Sequence, residues 1–157
     1  MAEAFAREFG SHIMNPYSAG SNPASEINPI VKQCMEEIGI RILNKKPKGF
    51  SDLDVDVFDF VVNMGCGDTC PFYPSKEYID WNIPDPKDKP IEEVRIIRDI
   101  IKERVLDLIH YLENYGKKSS SKWCFKNMLF YQGLYIELLL LHGYLLFLHF
   151  LLSRLLF

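Results

Sequence analysis

The chain has 157 residues, 48% of them hydrophobic and 25% charged, which is enough for one domain with a real core. Its charge is split: residues 1–116 carry 20 acidic and 13 basic side chains, a net −7, while residues 117–157 carry five basic and one acidic, a net +4. An acidic body argues against nucleic acid as a partner, because clustered Lys and Arg supply most of that affinity.

Residues 2–9 have the alanine-rich composition and apolar spacing of a helix (Ala2, Phe5, Ala6, Phe9), with Gly10 as its C-cap. A short strand over 13–19 follows. Asn28 before Pro29 marks a second helix start, and Ile30, Val31, Cys34, Met35 and Ile38 share one face up to Gly39. Residues 55–64 (VDVFDFVVNM) are β-branched and aromatic and run into a glycine-bounded turn, so they predict a buried strand whose carboxyl end delivers Cys66 to a loop. A weaker strand is expected over 78–83. Residues 90–113 form a long amphipathic helix with Ile91, Val94, Ile97, Ile101, Val105, Leu108 and Leu112 on the buried side. Alternating strands and helices predict an α/β fold, a parallel sheet with helices on both faces and its site beyond the carboxyl ends of the strands.

The composition then changes. Residues 113–128 read as a basic flexible connector after a domain spanning 1–112, and residues 129–157 as a leucine-rich apolar helical tail. Residues 134–157 hold twelve leucines, and 134–152 reach the span of about 20 residues that a bilayer needs. Glu137, His142 and His149 interrupt it, an acidic group costing roughly 2.5–3.5 kcal/mol at mid-membrane. Three readings stay open: a membrane anchor held on its cytoplasmic side by Lys117, Lys118, Lys122 and Lys126, a helix that packs in an oligomer, and a carboxyl end altered by a change of reading frame.

The chemistry concentrates in MGCGDTCP, where Cys66 and Cys70 stand four residues apart, and in PDPK, where Asp85 precedes Pro86. A dithiol this close can pass between reduced and disulfide forms, since Cα atoms within about 7 Å suffice and Gly65 and Gly67 free the backbone. The alternative is a pair of buried, inert thiols. Zinc is disfavoured, because two cysteines are half a tetrahedral set and neither His12 nor His110 stands at a ligand spacing from them. Asp85 reads as a proton donor, with Asp80 as the competing carboxylate and a turn-forming role as the bland alternative for either. Cys34 is most simply core, Trp81 an anchor beneath the acid segment, and Cys124 has no assigned role. His12 and Ser18 either line the site or sit in surface loops. Four cysteines with no secretory signal pattern lead us to expect a reducing compartment, the cytoplasm.

MAEAFAREFG at residues 1–10, SAGSNPASEINP at 18–29, MGCGDTCP at 64–71 and DWNIPDPKDKPIEEVRIIRDII at 80–101 together resemble the thioredoxin-coupled arsenate reductases of the low-molecular-weight tyrosine phosphatase superfamily. The resemblance covers roughly residues 1–112, with the motifs in the expected order. It implies an arsenate or phosphate-like oxyanion as substrate, a thioredoxin-like reductant, no cofactor, Cys66 and Cys70 as the second and third cysteines of a thiol relay, and Asp85 as general acid. Phosphatase relatives carry aromatic residues after this Asp-Pro, whereas Lys87 and Asp88 follow here.

In that family a strand and an anion-binding loop of form C-x5-R come before the segment that here begins at Met1, and this sequence has no C-x5-R anywhere. We therefore expect a first strand to be missing from the sheet, folding and solubility to suffer, and the polypeptide to be inactive or nearly so, with Met1 an internal methionine of a longer natural protein. Two further readings compete with arsenate reduction. One is a low-molecular-weight phosphatase, which would not need the cysteine pair. The other is a non-catalytic, membrane-tethered module that uses the dithiol as a redox sensor.

Overall fold

The computed structural model describes residues 1–42, 46–65, 73–118 and 127–132. Helix α1 spans Ala2–Gly10, strand β1 Asn15–Gly20, helix α2 Pro29–Glu36, strand β2 Phe58–Asn63, strand β3 Ser75–Asp80, helix α3 Ile91–Lys118 and strand β4 Asn127–Gln132. The four strands form one parallel sheet in the order β1-β4-β2-β3.

Local chemistry accounts for most boundaries. Asn28 caps α2 by accepting the Ile30 N–H at 2.9 Å, and Pro29 occupies the first turn, where its missing donor costs nothing. The turn after α2 closes at Gly39, whose φ of +79° suits a residue without Cβ. Ile38, expected on the buried face, is exposed because it lies in that turn, past the last helical residue. Gly10 differs from its expected capping role: it lies inside α1, and Ser11 ends the helix in the right-handed region. A Cβ at Gly10 would come within 3.1 Å of Ile109 and 3.0 Å of Met14 Cε, so a larger residue there would have to displace those side-chain ends, and close packing on α3 favours glycine.

Helix α3 runs beyond residue 113 into the segment read as connector. Its stripe of Val94, Ile97, Ile101, Val105, Leu108 and Leu112 is buried as the periodicity predicts. This stripe and Phe5 of α1 cover one sheet face, made by Phe60, Val62, Met128 and Phe130. α2 packs on α3 through Val31, Cys34 and Val94. The opposite face, with Phe58, Val61, Leu129 and Tyr131, was expected to carry helices. The described residues packed on it are Tyr17 of β1, Phe50 at the start of a short 3-10 helix (Phe50–Asp52), and Leu53, Val55 and Tyr73 from the connecting segments.

The largest departure from the sequence reading is β4. Residues 129–132, expected to open an apolar helical tail, form a strand together with 127 and 128, and the sheet does not lack a central member. Met128, Leu129, Phe130 and Tyr131 are all buried, alternating between the two faces. A residue run that is apolar on both sides is what a parallel strand paired along both edges needs. Main-chain pairing with β1 and β2 therefore overrides the helical preference of a leucine-rich neighbourhood. The expected cost of an unpaired centre does not arise, because β1 and β2 each pair with β4. Among the described residues no helix is long and apolar enough to cross a membrane. The stretch 134–152 lies outside the described residues.

Candidate functional site at the carboxyl end of the sheet

Parallel strands bring their carboxyl ends together, and the segments leaving them converge here. At the end of β2, the Trp81 N–H donates to Asn63 O at 2.7 Å and the Met64 N–H donates to Tyr131 O at 2.9 Å. The tip of β2 is thus tied on one side to the residue after β3 and on the other to β4. Gly65 N–H donates to Asn63 Oδ1 at 3.1 Å, and Gly65 adopts a φ of +108°. A Cβ on Gly65 would stand 2.8 Å from Ile83 O, so the chain leaving β2 toward Cys66 closes directly against the acid segment. Cys66 and Cys70 themselves lie outside the described residues.

Asp85 is exposed, and its Oδ1 accepts the Lys87 N–H at 2.8 Å. This is a carboxylate ordering its own turn. Asp80, the competing carboxylate, is the last residue of β3 and stands opposite Asn63 in the register. Trp81 is buried against Phe130, their ring centroids 5.7 Å apart, beneath the start of the acid segment.

A cavity of about 760 Å³ opens at this end of the sheet. Met64, Ile83, Phe130 and Tyr131 contribute apolar wall, Pro84 and Pro86 line it while Asp85 between them is not among its lining residues, and the first turn of α1 closes another side. Arg41, Lys46 and Lys48 lie along its lining, in an otherwise acidic body. Glu3 is held there from two directions. Its Oε1 accepts from Arg7 Nε at 3.0 Å and Nη2 at 2.9 Å, and its Oε2 accepts from Ser18 Oγ at 2.5 Å. Arg7 Nη2 also donates to Pro16 O at 2.9 Å, which locks α1 to β1 beside the cavity.

Of the residues weighed from sequence, Ser18 lines this cavity and His12 does not. His12 sits in the turn between α1 and β1, at the amino end of the sheet, with Nε2 3.1 Å from Glu113. Cys34 is fully buried, its Sγ donating weakly to Ile91 O at 3.9 Å, and burial pushes its thiol up from the ordinary value, the Glu37 carboxylate adding to it. That is an inert core thiol. Glu3, Arg7, Arg41, Lys46 and Lys48 were not singled out from sequence. The four-residue step from Glu3 to Arg7 is an ordinary helical ion pair, and only the crossing of α1 over β1 turns it toward a cavity.

Known proteins now place the chain. The model of the low molecular weight phosphotyrosine protein phosphatase family matches residues 1–119. The glutaredoxin arsenate reductase of Synechocystis sp. is 32% identical over 112 residues, 69% of this chain and 85% of that protein. The arsenate reductase of Staphylococcus aureus (strain Newman) is 33% identical over 108 residues, 65% of this chain and 79% of that protein. A solved arsenate reductase in its phosphate-binding state superposes with a TM-score of 0.62 at 31% identity, covering 71% of this chain and 86% of the other. With its parallel sheet and these relatives, the chain belongs to the low molecular weight phosphotyrosine protein phosphatase family, and the relatives named here are arsenate reductases.

Proposed function

We propose that the chemistry of this chain is the thiol-dependent reduction of arsenate, with Cys66 and Cys70 as the redox pair and Asp85 as the proton donor. The observation that carries it is the meeting of Gly65, the residue before Cys66, with Ile83, two residues before Asp85, at a cavity lined by Ile83, Pro84 and Pro86 together with the basic Arg41, Lys46 and Lys48. In the overall step arsenate, As(V), takes two electrons and becomes arsenite, As(III). Two thiols lose those electrons and two protons to become one disulfide, and one arsenate oxygen leaves as water. The Asp85 carboxyl protonates the departing oxygen. A cytoplasmic dithiol protein of the thioredoxin or glutaredoxin kind then reduces the Cys66–Cys70 disulfide, in keeping with the name of the Synechocystis relative.

The sequence holds no C-x5-R, so the thiolate that would attack arsenic first, and the arginine that would hold the oxyanion, are not supplied by that motif. Without covalent attack the barrier is not divided, and turnover by this polypeptide should be negligible. The relay half is testable by itself. Mild oxidation of the full chain should produce a Cys66–Cys70 disulfide, identified by peptide mass spectrometry, that reduced thioredoxin removes; a chain whose pair never closes contradicts the assignment.

The family match favours one second reading, cleavage of a phosphate ester on the same scaffold. A chain given an added C-x5-R segment, with Cys66→Ser and Cys70→Ser, separates the two: ester hydrolysis survives in a phosphatase, and arsenate turnover is lost in a reductase.

A further inference from the structure

β4 is the strand through which the two halves of the sheet meet. Among the described strands β1 pairs with β4 alone, and β2 pairs with β4 on one edge and β3 on the other. Taking β4 away would leave a channel edged by the main chain of Asn15–Gly20 and of residues 60–63. Its walls are apolar on both faces, with Trp81 against Phe130 on one side and Phe50 5.4 Å from the Tyr131 ring on the other. The sequence joining it to α3 is the eight residues SSSKWCFK, and the pairing of β2 with β3 does not involve β4.

We propose that the channel between β1 and β2 is a strand-binding site, held here by the chain's own residues 127–132 and able to take the same six residues from a second copy of the chain. The chemistry of the occupant follows from the walls. It must run parallel, carry large apolar side chains at four consecutive positions as Met128 to Tyr131 do, and hold no proline, since both edges need its main-chain groups. Exchange of β4 between two copies conserves every one of these contacts, which is why such swaps cost little. It also reaches the candidate site. Phe130 and Tyr131 wall the cavity and Tyr131 O anchors Met64, so the strand seated in the channel completes the cavity at the end of β2.

The test uses the full-length chain. Leu129→Asp puts a carboxylate at a position with no exposed surface, which should expel β4 while leaving both channel edges unaltered. A fluorescent peptide with the native sequence of residues 125–133 should bind this variant saturably. It should bind the native chain at least tenfold more weakly, because a tethered strand competes at an effective concentration on the order of 1 mM. The same peptide carrying L129D should bind neither chain. Equal binding to both chains, or equal binding of both peptides, overturns the proposal. If the variant does not fold alone, refolding with the native peptide decides: recovery of a cooperative thermal transition supports the channel, and no recovery at saturating peptide overturns it. Two differently tagged native chains unfolded together and refolded at high concentration should yield mixed dimers, and monomers at every concentration tried would refute exchange between copies.

Discussion

At Gly65 one absent methyl group decides how the dithiol loop meets the acid segment. With φ at +108° and Ile83 O lying 2.8 Å from where a Cβ would sit, alanine there meets both a backbone penalty and a clash with main chain that cannot rotate away. Gly65→Ala should lower stability by about 1–3 kcal/mol in urea unfolding and slow oxidative closure of Cys66 with Cys70. An unchanged midpoint with an unchanged rate would mean the turn is free to adjust. Cys34 makes the opposite case. Buried under Val31 and Val94, with its thiol pushed up mainly by burial, it should stay unalkylated in the native chain and label only on unfolding; rapid native labelling counted by mass spectrometry would contradict that packing. The residue types at both sites were readable, the glycine from its place after a strand and the cysteine from its place on an apolar helix face. The reason for Gly10 was not, because a helix-ending glycine and a glycine pressed against Ile109 look alike in one dimension.

Between elements, the joint of α2 with α3 is electrostatic at its rim and apolar within. Arg95 donates to both Glu37 oxygens at 2.9 and 2.7 Å, and the buried Arg98 donates to Cys34 O at 3.0 Å and to both Asp99 oxygens at 2.7 and 3.0 Å. The Arg95 hydrogen bonds hold the Glu37 carboxyl below its ordinary range, and those of Arg98 do the same for Asp99. A carboxyl depressed in the folded state stabilises the fold fully above its unfolded value, about 4 for these residue types, and loses that contribution as pH falls through the lower folded value. The thermal midpoint should therefore drop below about pH 4, and Glu37→Gln should flatten part of that acid limb. An acid limb identical in variant and native chain would remove Glu37 from the account. The helices were legible in the sequence because period and caps are local; that Glu37 would meet Arg95, 58 positions away, depends on the crossing of two helices.

For the whole molecule the decisive element is the strand at 127–132. Leu129 is fully buried in the centre of the sheet, so Leu129→Ala should cost about 2–5 kcal/mol, whereas Ile96→Ala on the exposed face of α3 should stay within about 0.5 kcal/mol. Equal, small effects would show that the apolar carboxyl portion is an appendage. Tyr131 offers a second reading of the same strand. Burial raises its phenol above the ordinary value, and Tyr78 and Asp80 add to the rise. A raised acid stabilises the fold fully below its unfolded pKa, about 10 for tyrosine, and that stability is lost as pH climbs through the higher folded value. Absorbance at alkaline pH should thus show one tyrosine ionising late in the native chain and normally in denaturant, and a Tyr131→Phe variant should lack the late step.

What the sequence determined by itself was everything set by neighbours along the chain: the amphipathic stripe of α3, the cap at Asn28 and the buried run ending at Asn63. Only the tertiary structure decided which strand stands in the middle of the sheet and which charges gather at its carboxyl end. The run Met-Leu-Phe-Tyr is equally at home in a leucine-rich helix and in a strand buried on both faces. Two unpaired strand edges waiting on either side settle it, and those edges come from residues more than 60 positions upstream.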